Sequence, residues 1–161
     1  MNFIKLFELQ QNLDIRILQE HNLHNEYLFS KKILALQVEI SELANETRCF
    51  KFWSSKGPSS KETILEEYVD CLHFILSLGL EKNYSNINVE LRHDESELTE
   101  KFINIYVDIN DFIVCPSMDN YKTLFEDFLC LGVSLGFSLS EIENAYYAKN
   151  VVNHERQDSG Y

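Results

Sequence analysis

Positive charge is scarce in this chain. Fourteen Lys and Arg face 26 Asp and Glu, for a formal net charge of −12. Non-specific nucleic-acid binding, which neutralises phosphates with cationic side chains, is therefore not expected. Two prolines and five glycines leave little to interrupt helices. The four cysteines (Cys49, Cys71, Cys115 and Cys130) form no CxxC pair. We read them as reduced thiols of a cytosolic protein, bacterial or in a phage-infected host. No run approaches the roughly 18 charge-free apolar residues of a membrane span. MNFIKLFELQ is amphipathic and lacks the apolar core of a signal peptide.

What is present suffices for a core: 45% hydrophobic residues, with eleven Phe and eight Tyr. At 161 residues one domain is expected over 1–161, ending in a polar tail at 152–161. The apolar pattern is helical nearly throughout and predicts an all-α bundle of five to six helices. The spacing places helices over about 2–21, 26–48, 59–82, 95–114, 117–136 and 138–151. Ser59 with Glu62, and Ser138 with Glu141, read as capping boxes. Ser117 or Asp119 can cap the fifth helix, and residues 83–94 read as a loop. The third helix is apolar on nearly every side, which predicts a central position partly covered by a second subunit.

Two acidic pairs stand out. Glu39 and Glu42 lie three apart in ALQVEISELANE, as do Glu67 and Asp70 in ILEEYVDCLHF. That spacing puts each pair on one helix face. At 100° per residue, Glu39, Glu42 and Glu46 share an arc of roughly 60°. Apolar residues flank both pairs, so both are expected on core-like faces. Carboxylates gathered there without cations would repel one another. With cations they form an all-oxygen cage suited to Mg²⁺ or Mn²⁺. A di-iron carboxylate bundle would need Glu-x-x-His from two helices. Asp70 and His73 match that spacing once, and His21, His24, His93 and His154 have no acid three residues before them.

E-I-S-E, a spacer over 43–66, then E-Y-V-D resembles the ExxE…ExxD signature of the all-α nucleoside triphosphate pyrophosphohydrolases. VEISELANETRCFKFW, EEYVDCLHFILSLGL, the ending YYAKNVVNHERQDSGY and the early LQQNLD resemble the dimeric dUTP diphosphatase branch. The resemblance covers both ends and the second and third helices; residues 84–140 share only helical character.

The resemblance implies a homodimer with a four-helix metal-binding core. It implies hydrolysis of dUTP, and of dUDP, with dUMP as product. Glu39, Glu42, Glu67 and Asp70 would hold two or more Mg²⁺ ions, with Mn²⁺ as a substitute. Glu39, or next Glu42, would take the proton of the attacking water. Gln10 and Asp14 fall where the family reads the uracil edge; some members carry Asn at the second position. Trp53 falls where an aromatic residue closes on the base, and His73 near the deoxyribose. Lys149, Asn150, Asn153 and Arg156 fall at the phosphates and sugar. Ending at Tyr161, the chain is expected to have no long extension over the site. The competing readings are a pyrophosphohydrolase for another nucleotide such as dCTP, a non-catalytic helical partner-binding protein, and a di-iron oxidoreductase. No nucleic acid or membrane partner is expected.

Overall fold

The computed structural model describes residues 1–24, 26–91 and 95–160. The end of the loop expected over 83–94, with His93, therefore lies outside the described residues. Six helices follow in order: α1 Phe3–Glu20, α2 Phe29–Thr47, α3 Lys61–Glu81, α4 Leu98–Val114, α5 Met118–Ser134 and α6 Leu139–Asp158. Among the described residues there is no strand, and no single helix is long and apolar enough to cross a membrane. None of the four cysteines forms a disulfide.

Local chemistry sets the boundaries. Asn2 caps α1 by accepting from the Lys5 amide at 3.1 Å. The Ser138–Glu141 capping box is present on α6, and Ser117 caps α5. Ser60, not Ser59, caps α3, accepting from the Thr63 amide. Ser59 is engaged elsewhere: its hydroxyl and amide both donate to Glu46 on α2. The last helix runs past Val151 to Asp158. Its polar end is fastened to α1 by Arg16, which donates to the His154 carbonyl at 2.9 Å and to Asp158 at 2.5 Å.

α3 is the central element, packed against α1, α2, α5 and α6. Much of its apolar surface is covered by the chain's own helices: Tyr68, Leu72, Ile75, Leu76 and Leu78 are all fully buried, whereas Phe74 and Leu80 are only partly buried. Two reciprocal knobs join α3 to α5. Tyr121 of α5 lies over Gly79 and donates to the Ile75 carbonyl; Tyr68 of α3 lies over Gly132 and donates to the Phe128 carbonyl, both at 3.0 Å. A Cβ on Gly79 would stand 2.2 Å from the Tyr121 hydroxyl oxygen, which is held by its bond and by burial. Gly79→Ala is therefore expected to destabilise the protein by about 3 kcal/mol through overpacking. Gly57→Ala, where a Cβ meets nothing within 4 Å, should change stability by less than about 0.5 kcal/mol in the same denaturant titration.

α4 and α5 pack on each other on one side of the molecule. The other side is formed by α1, α2, α3 and α6, and these four line a cleft of about 530 Å³. Its wall residues come from α1, the start of α2, the middle of α3 and the last turns of α6.

Candidate active site

The close packing of α2 on α3 brings their acids together at one end of the cleft. Glu39, Glu67 and Asp70 each place one carboxylate oxygen within 4.8 Å of the others. All three are partly buried. Burial, then the charges of Asp70, Glu42 and Glu67, pushes the Glu39 carboxyl up to about 7. Burial also raises Glu67, with Asp70 and Glu42 adding to it. Burial raises Asp70 as well, although Lys149 pulls it back. The cluster is thus short of positive charge, and its donors are hard oxygens. Both properties fit a divalent cation of the Mg²⁺ class.

Glu42 is placed differently from the expectation. It is exposed and stands outside this triplet, at its rim, yet near enough to raise Glu39 and Glu67. One turn further on, Glu46 is held by Ser59 and serves the α2–α3 connection. The cluster contains only carboxylates. Among the described residues no histidine joins it, so the cluster lacks the nitrogen ligands of the di-iron plan.

Lys149 reaches in from α6. Its ammonium donates to Asp70 Oδ2 at 2.7 Å and to Glu66 Oε1 at 2.9 Å. Successive residues on a helix diverge by about 100°, so Glu66 points toward α6 while Glu67 points into the cluster.

The other end of the cleft is polar and hydrogen-bonded. Gln10 Oε1 accepts from the Tyr146 hydroxyl at 2.8 Å and lies 2.7 Å from His73 Nδ1. Gln10 Nε2 donates to Asp14 Oδ1 at 2.7 Å, and Ser77 donates to Asp14 Oδ2 at 2.5 Å. Lys32 stands 3.6 Å from the same carboxylate. Burial, with Lys149 nearby, drops His73 to about 3, so the ring is neutral. Since Gln10 Oε1 can only accept, Nδ1 carries the proton. Nε2 is then a buried acceptor with no protein partner. His73 also stacks on Tyr146, with ring centres 4.2 Å apart. The amide is held by three side chains and the carboxylate by two hydrogen bonds, so both present fixed polar edges.

Of the remaining predicted site residues, Asn153 and Arg156 line the cleft. Asn150 is buried beside Lys149, with its amide nitrogen unpartnered. Trp53 is not brought to the cleft. It is 65% exposed on the α2–α3 connection, edge-on to Phe50 and Phe52.

A family model described as dUTPase matches residues 2–161. The chain belongs to the dUTPase family. No curated relative matches it. The enzyme is accordingly a dUTP diphosphatase, and its cleft holds an acidic cluster at one end and the Gln10–Asp14 network at the other.

Four polar residues in or beside this candidate site were not singled out from the sequence: Glu66, Ser77, Tyr146 and Lys32. Three carry a periodic signal. Ser77 lies one turn beyond His73, Tyr146 one turn before Lys149, and Lys32 two turns before Glu39. Glu66 points off the arc shared by Glu67 and Asp70, and only the position of α6 reveals its partner.

Proposed function

We propose that this dUTPase is a Mg²⁺-dependent enzyme that converts dUTP to dUMP and pyrophosphate, and also accepts dUDP. The observation that supports this best is one cleft with two unlike ends: three carboxylates within 4.8 Å, and a fixed amide–carboxylate pair on α1. The triphosphate belongs at the first and the base at the second. Glu39, Glu67 and Asp70, with Glu42 at the rim, hold the cation. When bound, the ion supplies charge neutralisation at the phosphates and acidifies the attacking water. Glu39 accepts that water's proton, with Glu42 the second candidate. Glu39 stands in the cluster itself, beside the water that the ion would hold, which is the placement a general base needs. Lys149 and Arg156 neutralise outer phosphate charge, and Asn150 offers its unpartnered N–H to the same region. Asn153 borders the sugar. His73 Nε2 accepts from a sugar hydroxyl.

Uracil selectivity follows from Asp14. Uracil carries N3–H, a donor to a carboxylate; cytosine has a lone pair at N3 and is repelled. Thymine keeps N3–H and differs by a methyl, which a pocket wall rejects only modestly. kcat/KM for dUTP should exceed that for dCTP by about 10³ or more, and that for dTTP by about 10². Asp14→Ala should collapse the first ratio and leave most of the second. Pyrophosphate release from the three nucleotides, with and without Mg²⁺, checks both. Equal turnover of dCTP would overturn the uracil reading, and undiminished turnover in chelator would overturn the metal reading.

A homodimer is also part of this reading. Leu34 and Val38 on α2, and Ile103 and Val107 on α4, stand exposed on helices in mutual contact. Light scattering on the purified enzyme tests it.

A further inference from the structure

Lys149 is a poor candidate for a simple phosphate ligand while it is tied to Asp70. Its side chain is only 10% exposed, and its ammonium has two carboxylate partners. One of them, Asp70, belongs to the acidic cluster; the other, Glu66, does not. A cation taken up at Asp70 competes with the lysine for that carboxylate. Without a second partner, the displaced ammonium would be a largely desolvated, uncompensated charge, which is strongly unfavourable. Glu66 stays available because it points away from the cluster and is 61% exposed. Arg156 lies close enough to lower both Glu66 and Asp70, so Glu66 sits by both cations assigned to the phosphates.

We propose that Glu66 is a positioning residue that holds Lys149 while Asp70 passes from the lysine to the divalent cation. The proposal rests on the metal reading above. It makes Glu66 an indirect determinant of cation affinity that never contacts the ion. In the metal-free enzyme Lys149 bridges the two acids. In the loaded enzyme it keeps the bond to Glu66 alone, near the cleft and aimed at the phosphates.

A double-mutant cycle separates this from general electrostatics. Mg²⁺ alone is titrated calorimetrically into substrate-free wild type, Glu66→Gln, Lys149→Met and the double variant. Removing the Glu66 charge leaves Lys149 to Asp70, so Mg²⁺ should bind about three- to fivefold more weakly in Glu66→Gln. In the Lys149→Met background there is no lysine to hand over, and the same change should alter binding by less than about 1.5-fold. An equal loss in both backgrounds would show that Glu66 acts only through its charge and would overturn the proposal. Wild type that binds no Mg²⁺ would instead remove the metal reading, and the proposal with it. Glu66 is exposed, so its variant should fold; Lys149→Gln replaces Lys149→Met if the latter does not.

Discussion

Glu67→Ala is expected to abolish turnover of dUTP, lowering kcat by at least about 10³-fold. The same substitution should leave the metal-free protein no less stable at pH 8, and more so if anything. The two effects share one cause. Glu67 is held near Glu39 and Asp70, and its carboxyl is raised by burial and by Asp70 and Glu42. A carboxyl raised on folding favours the folded state below its unfolded value near 4.5 and opposes it once pH has risen past the folded value. At pH 8, with chelator present, the Glu67 charge is therefore a burden on the fold. Deleting it relieves like-charge repulsion while removing a ligand. Melting in chelator and steady-state kinetics with Mg²⁺ measure the two halves. Turnover within tenfold of wild type would place the metal elsewhere. A large drop in melting temperature would mean that Glu67 is a structural group.

Helix existence was legible because apolar periodicity and cap chemistry agree locally. Ser138 and Glu141 form their box within one turn through one carboxylate oxygen, and the distant Lys61 takes the other without breaking it. Ser59 failed as a cap for the opposite reason: α2 passes close enough for Glu46 to take both its donors, and the neighbouring Ser60 caps instead. The end of α6 has no apolar stripe to mark it. Its continuation past Val151 depends on Arg16 and on the His21–Gln157 contact from α1, neither of which is local in sequence. The acids on α2 and α3 were readable as pairs, because i, i+3 spacing fixes a shared face. How deep each sits was not, since Glu42 differs from Glu39 only by its place on the rim. Trp53 stands 65% exposed on the α2–α3 connection, outside the cleft lining, a placement that residue type and spacing do not announce.

The second large effect is a pH dependence of cation binding. Glu39 has its carboxyl at about 7 in the metal-free fold, so below that pH a ligand oxygen is occupied by a proton. Mg²⁺ must displace it, and affinity should fall about tenfold per pH unit below 7, or about 100-fold from pH 7 to pH 5. Raised Glu67 and Asp70 steepen the trend. Total stability against pH is a poor readout, because His73 pulls the other way. Its folded value near 3 lies below the unfolded value near 6.5, so its contribution is present above about 6.5 and is lost as pH falls toward 3. Glu39 contributes in the reverse sense: its term is full below about 4.5 and is lost as pH rises through 7. His73 stands outside the carboxylate cluster, so its term is common to the loaded and metal-free proteins and cancels in their difference. The quantity to follow is therefore the rise in melting temperature produced by Mg²⁺ over chelator at each pH. It should be small at pH 5, grow through pH 7 and level off above pH 8. Glu39→Gln, which cannot hold the proton, should flatten that curve between pH 6 and pH 8. A wild-type increment that does not change with pH would mean that Glu39 is not a ligand, and the cluster would lose its proposed proton acceptor.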